Sequence, residues 1–300
     1  GMCVHVISPD SFYNQFWHQP LALKNPWEGN IMGIKPLREL TRALVITAAS
    51  AAITSLALAD GTETLGDPVG LSLSNGTGYV AAGTGLSMGQ PANIDINIPG
   101  GATVRQVLLY WEGNSPTPLV VPATDTIQVD GGDVTGSFIG GGIGTISGQT
   151  QFLTYRADIT SLGNVNPGSN SVAISGLDFG QNNGAGILAI IDEGGDEATL
   201  LLRDGSDRAF VSSPAPMDTT VPQLFTFPGS GVARIATLSM FFADVAGQQS
   251  GSTPMRPSKI VIWLGNVLGG APTMPLSNLL ASVDGEEWDT VVTTIDVPAG

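Results

Sequence analysis

The chain has 300 residues, of which 12% are charged and 42% apolar, with 40 glycines, 20 prolines and a formal charge of −15. This turn-rich composition is untypical of helical bundles, and its apolar content is high enough for a packed core, which argues against a disordered chain. Nucleic acid is excluded as a partner, because binding a polyanion needs clustered Lys and Arg, and residues 43–300 contain no such cluster.

The N-terminal region has the order of a secretory signal peptide. Basic residues precede an uncharged run over residues 43–59, which ends with the small residues Ala57 and Ala59. A membrane anchor or a buried helix is less favoured, because a spanning helix needs about 20 strongly apolar residues and this run is diluted by Ala, Ser and Thr. We therefore expect residues 32–59 to form a helical signal peptide that is cleaved after Ala59.

Thirty-one residues precede Met32, and they are rich in aromatic residues and share no pattern with the rest of the chain. A start at Met32 gives an ordinary leader, so we predict that residues 1–31 are an upstream extension outside the natural product. Cys3, His5 and His18 are the only Cys and His residues in the sequence. Export with cleavage would therefore leave a domain without thiol or imidazole groups.

Residues 60–300 have the pattern of an all-β domain, in which short β-branched or aromatic runs alternate with Gly, Asn, Asp and Pro. Residues 93–98 alternate strictly between polar and Ile, which predicts a half-buried strand. Residues 104–111 are apolar on both faces in their second half, which indicates a central strand. Gly131-Gly132 separates two strand patterns and predicts a hairpin.

More than ten short strands without intervening helices predict an antiparallel β-sandwich, jelly-roll-like in its arrangement. A proline-rich stretch over residues 212–222 is expected to divide it into two halves, and residues 294–300 begin another strand pattern, as in a domain truncated at its C-terminus. Further strands are predicted over residues 151–155, 171–175, 186–191, 198–203, 233–242, 259–264 and 290–297.

Four segments resemble a class of secreted bacterial surface domains, and they are Leu108-Leu-Tyr-Trp-Glu-Gly113, Tyr155-Arg-Ala-Asp-Ile-Thr160, Asn183-Gly-Ala-Gly-Ile-Leu-Ala-Ile-Ile191 and Leu200-Leu-Leu-Arg-Asp-Gly205. That class is characterised by a strand ending in YWGG, then YRADVT, then GASLVVVYE and an Arg/Asp-Gly turn. The similarity covers roughly residues 100–265. It implies a surface domain that often precedes a C-terminal sorting tag, and it carries no catalytic residues over.

A chain without His or Cys after residue 59 lacks the side chains for a Ser-His-Asp triad, a Cys-His dyad or an ordinary zinc site. Lys259 is the sole lysine left for a Ser-Lys hydrolase or an isopeptide crosslink, and at the head of a strand we expect it to be solvated. Glycoside hydrolysis needs only two carboxylates. Glu112 is the candidate acid for it, with Asp158 or Asp244 as its partner.

Acidic turns offer hard oxygen ligands for Ca²⁺. The densest is formed by Asp192, Glu193, Asp196 and Glu197, where four carboxylates within six residues repel one another unless they are solvated or bound to a metal. Asp-Gly and Glu-Gly-Gly sequences also make ordinary hairpin turns, so turn formation is the alternative to a calcium site.

Trp288 lies in the acidic sequence Glu-Glu-Trp-Asp and is predicted to be exposed, where it could stack on a sugar ring. Trp111 and Trp263 end apolar strands and are expected in the core. Arg156 and Asp158 share one strand face by the period of two, which predicts an ion pair between them.

Three functions fit these observations. The first is a secreted or cell-surface protein without enzymatic activity, of structural or adhesive type, whose partners are surface or matrix components. The second is a carbohydrate-binding module with polysaccharide as its ligand. The third is a glycoside hydrolase that uses carboxylates alone.

Overall fold

The computed structural model describes residues 5–8, 12–13, 61–116, 125–144, 150–209, 213–245, 259–265, 274–277, 280 and 288–300. They belong to one compact unit formed by Gly1–Phe16 and Leu56–Gly300. Within these ranges no helix is long and apolar enough to cross a membrane. The predicted signal-peptide helix over residues 32–59 lies outside the described residues.

The described residues form antiparallel strands and one turn of 3-10 helix at Thr160–Leu162, which confirms the predicted all-β sandwich. The strands are β1 (His5–Ser8), β2 (Phe12–Tyr13), β3 (Gly78–Gly85), β4 (Ala92–Ile98), β5 (Thr103–Pro116), β6 (Thr126–Val129), β7 (Gly132–Thr135), β8 (Ser137–Gly144), β9 (Thr150–Asp158), β10 (Gly168–Ser175), β11 (Gln181–Asp192), β12 (Leu201–Arg203), β13 (Arg234–Ala243), β14 (Lys259–Leu264), β15 (Met274–Ser277) and β16 (Trp288–Val297).

A five-stranded sheet in the order β3-β11-β5-β9-β8 lies at the centre, and we call it the central sheet. Strands β11, β5 and β9 are its inner strands, and β5 and β11 are buried on both faces because they carry apolar side chains at odd and even positions. The prediction of a central strand over residues 104–111 is confirmed. The two faces of this sheet pack against two different sheets.

One face packs against a four-stranded sheet in the order β4-β10-β6-β7. In β4 every second residue is buried, so that Ile94, Ile96 and Ile98 meet Leu109 and Trp111 of β5 in one core. This confirms the strand predicted from the alternation of residues 93–98.

The predicted hairpin is also present, with its turn one residue earlier than expected. Val129 pairs with Gly132, so Asp130 and Gly131 form the two-residue loop. Both have positive φ angles, of 49° and 80°. A two-residue turn of type I′ needs this geometry at both positions, and Asp-Gly is a preferred sequence for it.

The other face of the central sheet packs against a sheet in the order β12-β1-β13-β16. Here Leu108, Tyr110 and Leu188 of the central sheet meet Leu202, Phe241 and Trp288. The face of the β13–β16 pair that points away from the central sheet forms a further core. This core includes Phe225 and Phe227, which precede β13, and Ile262 of β14. Strand β14 itself lies between β15 and β2.

The structure pairs β1 with β12 and β13, and it pairs β2 with β14. These two short strands lie in the segment predicted to be an upstream extension. The pairing does not test whether residues 1–31 belong to the natural product, which stays a prediction.

Candidate functional site

Three of the four segments that carry the family resemblance, those of Tyr110, Arg156 and Asp204, meet at one buried ion pair. Arg156 Nη1 contacts Asp204 Oδ2, and the two side chains are 5% and 4% exposed. The Tyr110 hydroxyl donates to the same carboxylate oxygen at 3.4 Å, and Arg156 Nη2 donates to the Val69 carbonyl at 2.7 Å. Residues that are distant in sequence are thereby joined on the face of the central sheet that meets β12.

Strand register accounts for this arrangement. Tyr110 of β5 lies directly opposite Arg156 of β9, so that both side chains leave the sheet on the same face. Asp204 follows β12 and is fixed by a bridge in which it and Gly66 each donate a backbone N–H to the other's carbonyl. Burial raises the pKa of Asp204, and the Arg156 guanidinium opposes that rise.

The predicted ion pair between Arg156 and Asp158 is wrong. Arg156 is paired with Asp204, 48 residues along the chain. Asp158 instead accepts hydrogen bonds from Gln106 at 2.8 Å and from the backbone N–H of Thr160 at 3.0 Å. These hydrogen bonds outweigh the effect of desolvation and lower the pKa of Asp158.

Glu112, the candidate acid, is 1% exposed, and it lies between the two neighbouring strands of the central sheet. Thr154 Oγ1 donates to one carboxylate oxygen and Asn183 Nδ2 to the other, each at 3.4 Å. Asn183 is directed there by a β-bulge, because it is the extra residue between the pairs formed by Asn182 and Gly184. Burial raises the pKa of Glu112 to about 7.

Asp158 is badly placed as a second carboxylate for glycoside hydrolysis. Glu112 lies opposite Thr154, four residues before Asp158 on the same strand, so at about 3.4 Å per residue the two positions are roughly 14 Å apart along the sheet. Retaining and inverting glycosidases need separations of about 5–10 Å.

Asp244 is nearer, and its charge contributes to the raised pKa of Glu112. Burial also raises the pKa of Asp244. The Arg208 guanidinium, which interacts with both carboxylates, lies over the Phe152 ring at 4.0 Å from its centroid. Since Glu112 is covered by its neighbours, a sugar cannot reach its carboxylate in this conformation.

Asp207, in the acidic sequence Asp204-Gly-Ser-Asp207, is a second buried carboxylate. It is 2% exposed, and its Oδ2 accepts a hydrogen bond from the Val221 backbone N–H at 2.8 Å. Its Oδ1 has no hydrogen-bond partner among the described residues. Burial raises the pKa of Asp207 to about 7.

In the acidic turn proposed for calcium, Asp192 and Glu197 already have partners within the protein. Asp192 pairs with Arg105 and accepts from the Gly194 backbone N–H at 2.9 Å, and these contacts lower its pKa. Glu197 accepts from Asn75 Nδ2 at 3.2 Å, while Glu193 and Asp196 are exposed. In the described part of the chain no three acidic side chains are grouped to hold a metal ion. Calcium binding at this turn stays a prediction.

The predicted exposure of Trp288 is wrong, because its side chain is 2% exposed. Trp288 begins β16 opposite Ala243, and its ring lies 5.4 Å from that of Phe241. Glycines of β3 and β11 leave space for the indole, since a Cβ at Gly83 or Gly186 would lie 2.8 Å or less from it. A sugar-stacking role would require this ring to leave the core.

Trp111 and Trp263 are buried, as predicted, at 0% and 8% exposure. Trp111 stacks on Tyr155 with ring centroids 5.7 Å apart and an angle of 16° between the ring planes. Tyr110 and Arg156, the residues that precede and follow these two in sequence, lie on the opposite face. In each of the sequences Tyr110-Trp111 and Tyr155-Arg156, one side chain therefore lies on each face of the central sheet.

A cleft of about 270 Å³ lies at the edge of the central sheet, between β3 and β13. Its lining includes Tyr79, Pro99, Ile191, Glu193 and Thr237. The Tyr79 hydroxyl donates to the Thr237 carbonyl at 2.8 Å, which closes the cleft on the side of β13.

Comparisons with protein-family models, with curated proteins and with solved structures find no significant match for this chain.

Proposed function

We propose that residues 60–300 form an exported domain without enzymatic activity, which makes structural or adhesive contacts with components of the cell surface or matrix. The observation that carries the proposal is the burial of Glu112, the side chain best suited to acid catalysis. Both of its oxygens accept hydrogen bonds from within the sheet, and 1% of the residue is exposed.

Other charged side chains of the domain are likewise held by contacts within the protein. Arg156 and Asp204 neutralise each other on the face of the central sheet that meets β12, and the half-buried Arg208 lies over the Phe152 ring and interacts with Glu112 and Asp244. Perturbed pKa values often indicate catalytic residues, but structural ion pairs and buried carboxylates shift pKa values as well. Here Glu112, Asp204 and Asp207 each accept a hydrogen bond from a side chain or backbone group of the domain, which supports a structural role.

The sequence supports the surface location. The basic, apolar and small-residue order over residues 32–59 is that of a signal peptide, and the four matching segments resemble secreted surface domains. Outward-facing loops on a rigid sandwich are the usual place for binding surfaces.

The test combines localisation with a matched pair of proteins. The full chain is expressed in a bacterial host, and the exported product is sequenced from its N-terminus, which we expect to begin at Asp60. Beads coated with this product and with its Glu112→Gln variant are then assayed for adhesion to cell-wall and matrix material, and both proteins are assayed for release of reducing sugar from polysaccharides. We expect equal adhesion and no sugar release. Turnover that is lost in the Glu112→Gln variant would show that the chain is an enzyme.

A further inference from the structure

In the sheet with the order β12-β1-β13-β16, strand β1 belongs to the segment that precedes the predicted signal peptide. His5–Ser8 lies between β12 and β13, antiparallel to both. Under the proposed function, cleavage after Ala59 removes this strand from the mature domain. The backbone groups of Leu201–Arg203 and of residues 237–240 would then face a gap one strand wide, which we call the acceptor gap.

Each wall of the acceptor gap also has contacts that do not involve β1. On one side, Leu202 packs in the core against the central sheet, and the adjoining Asp204 is paired with Arg156. On the other side, β13 pairs with β16 over ten residues. Since neighbouring strands are about 4.8 Å apart, the two walls stand roughly 9.6 Å from each other, which is the width that a single inserted strand requires.

The register defines the chemistry of a strand that fits. The position now held by Ile7 lies opposite Leu238, which belongs to the core on the β14 side of the sheet. The position held by Val6 lies opposite Leu202, which belongs to the core against the central sheet. Because directly opposed residues share a sheet face, two consecutive positions of the incoming strand face two apolar cores.

The described strands favour a donor from a different polypeptide. Without β1, each described strand from β3 to β16 except β12 still pairs with another strand of the chain, and β12 is itself a wall of the gap. A second copy would have to break one of its own sheets to donate a strand. Pairing of two copies through the edges of β13 is blocked, because β12 lies on the far side of the gap.

We propose that the mature domain is a strand acceptor, which binds an extended segment of a different surface protein antiparallel to β13 with two consecutive branched apolar residues at its centre. This inference rests on the proposed function, since export with cleavage is what empties the gap. Main-chain hydrogen bonds to both walls supply affinity, and the two apolar positions supply specificity, as in other cases of strand addition.

The experiment measures binding of a fluorescein-labelled peptide of residues 4–10, Val-His-Val-Ile-Ser-Pro-Asp, by fluorescence anisotropy. Three proteins are compared: the exported product that begins at Asp60, the full chain, and the full chain with Val6→Asp and Ile7→Asp, in which the cis strand is disfavoured. We expect the peptide to bind the first and third proteins at least about tenfold more tightly than the unmodified full chain, whose gap is filled in cis. A peptide with aspartate in place of the isoleucine should bind at least about tenfold more weakly, because its carboxylate would be buried.

Two results would overturn the inference. One is a folded, monomeric product, by circular dichroism and light scattering, that does not bind the peptide. The other is a product that self-associates and thereby excludes the peptide, which would assign the gap to a second copy. If export leaves residues 1–59 attached, the proposed function is wrong, and peptide binding to the Val6→Asp, Ile7→Asp chain still tests the acceptor gap by itself.

Discussion

Replacing Arg156 with methionine should destabilise the domain more than any change to a surface charge. The substitution keeps much of the side-chain length but removes the cation from a pair whose members are 5% and 4% exposed. Asp204 then keeps the Tyr110 hydroxyl at 3.4 Å as its side-chain donor, and the Val69 carbonyl loses the contact at 2.7 Å. Removing one partner of a buried ion pair typically costs about 3–5 kcal/mol, because it leaves an uncompensated charge, and we expect a loss of that size.

Urea denaturation at neutral pH measures this loss as a lower midpoint with an unchanged slope. Arg105→Met is the matched control, because Arg105 is also paired with an aspartate, Asp192, but at side-chain exposures of 48% and 27%. We expect no measurable shift for this control, since exposed ion pairs contribute little. The double variant Arg156→Met, Asp204→Leu should recover most of the stability, because it removes both charges from the interior. The reasoning is refuted if Arg156→Met shifts the midpoint no further than Arg105→Met does.

Three further substitutions test the site and the fold. Burial raises the pKa of Glu112 from 4.5 to about 7, so the folded chain binds this proton more tightly than the unfolded chain, and the contribution of this group to stability falls as the pH rises from about 4.5 to 7. Glu112→Gln should remove that part of the pH dependence, a gain of about 3 kcal/mol at pH 8 relative to pH 4 in urea unfolding, and an unchanged pH profile would contradict the raised pKa. Gly186→Ala places a Cβ 2.7 Å from the Trp288 ring and should cost about 1–3 kcal/mol, whereas Gly100→Ala, with no atom within 4 Å, serves as its control. Gly131→Val forces a β-branched residue to a φ of 80° and should lower the thermal midpoint by an amount equivalent to about 1–2 kcal/mol; an unchanged midpoint would mean that the turn adopts another conformation.

The strands could be predicted because their signal is local. The alternation of Ile94, Ile96 and Ile98 with polar residues is a property of six consecutive positions, and the hairpin is likewise indicated by neighbouring turn residues, although its loop is one residue earlier than predicted. In each case a sheet with one buried face leaves a single assignment of residues to faces.

The interior contacts of polar residues could not be predicted in this way. The period of two places Arg156 and Asp158 on one face, but nothing within that strand indicates that Asp204 comes closer from 48 residues away. Asn183 reaches Glu112 only because a bulge changes the side to which it points, and a bulge depends on the register of two strands. The acidic neighbours of Trp288 predict a surface position, whereas the glycines that leave room for its ring lie in β3 and β11.

The buried ion pair has a role that its net energy does not explain. Well-packed apolar residues in place of a buried pair are often as stabilising or more so, which means that Arg156 and Asp204 are poor devices for stability alone. An apolar contact would specify the position of the three-residue strand β12 less tightly, because burial of Leu201 and Leu202 does not depend on direction. A guanidinium that must meet one carboxylate and the Val69 carbonyl allows a single position, and the Gly66 bridge fixes the adjoining backbone. A fixed β12 would keep the proposed acceptor gap one strand wide, so the ion pair and the proposed binding of a donor strand depend on the same geometry.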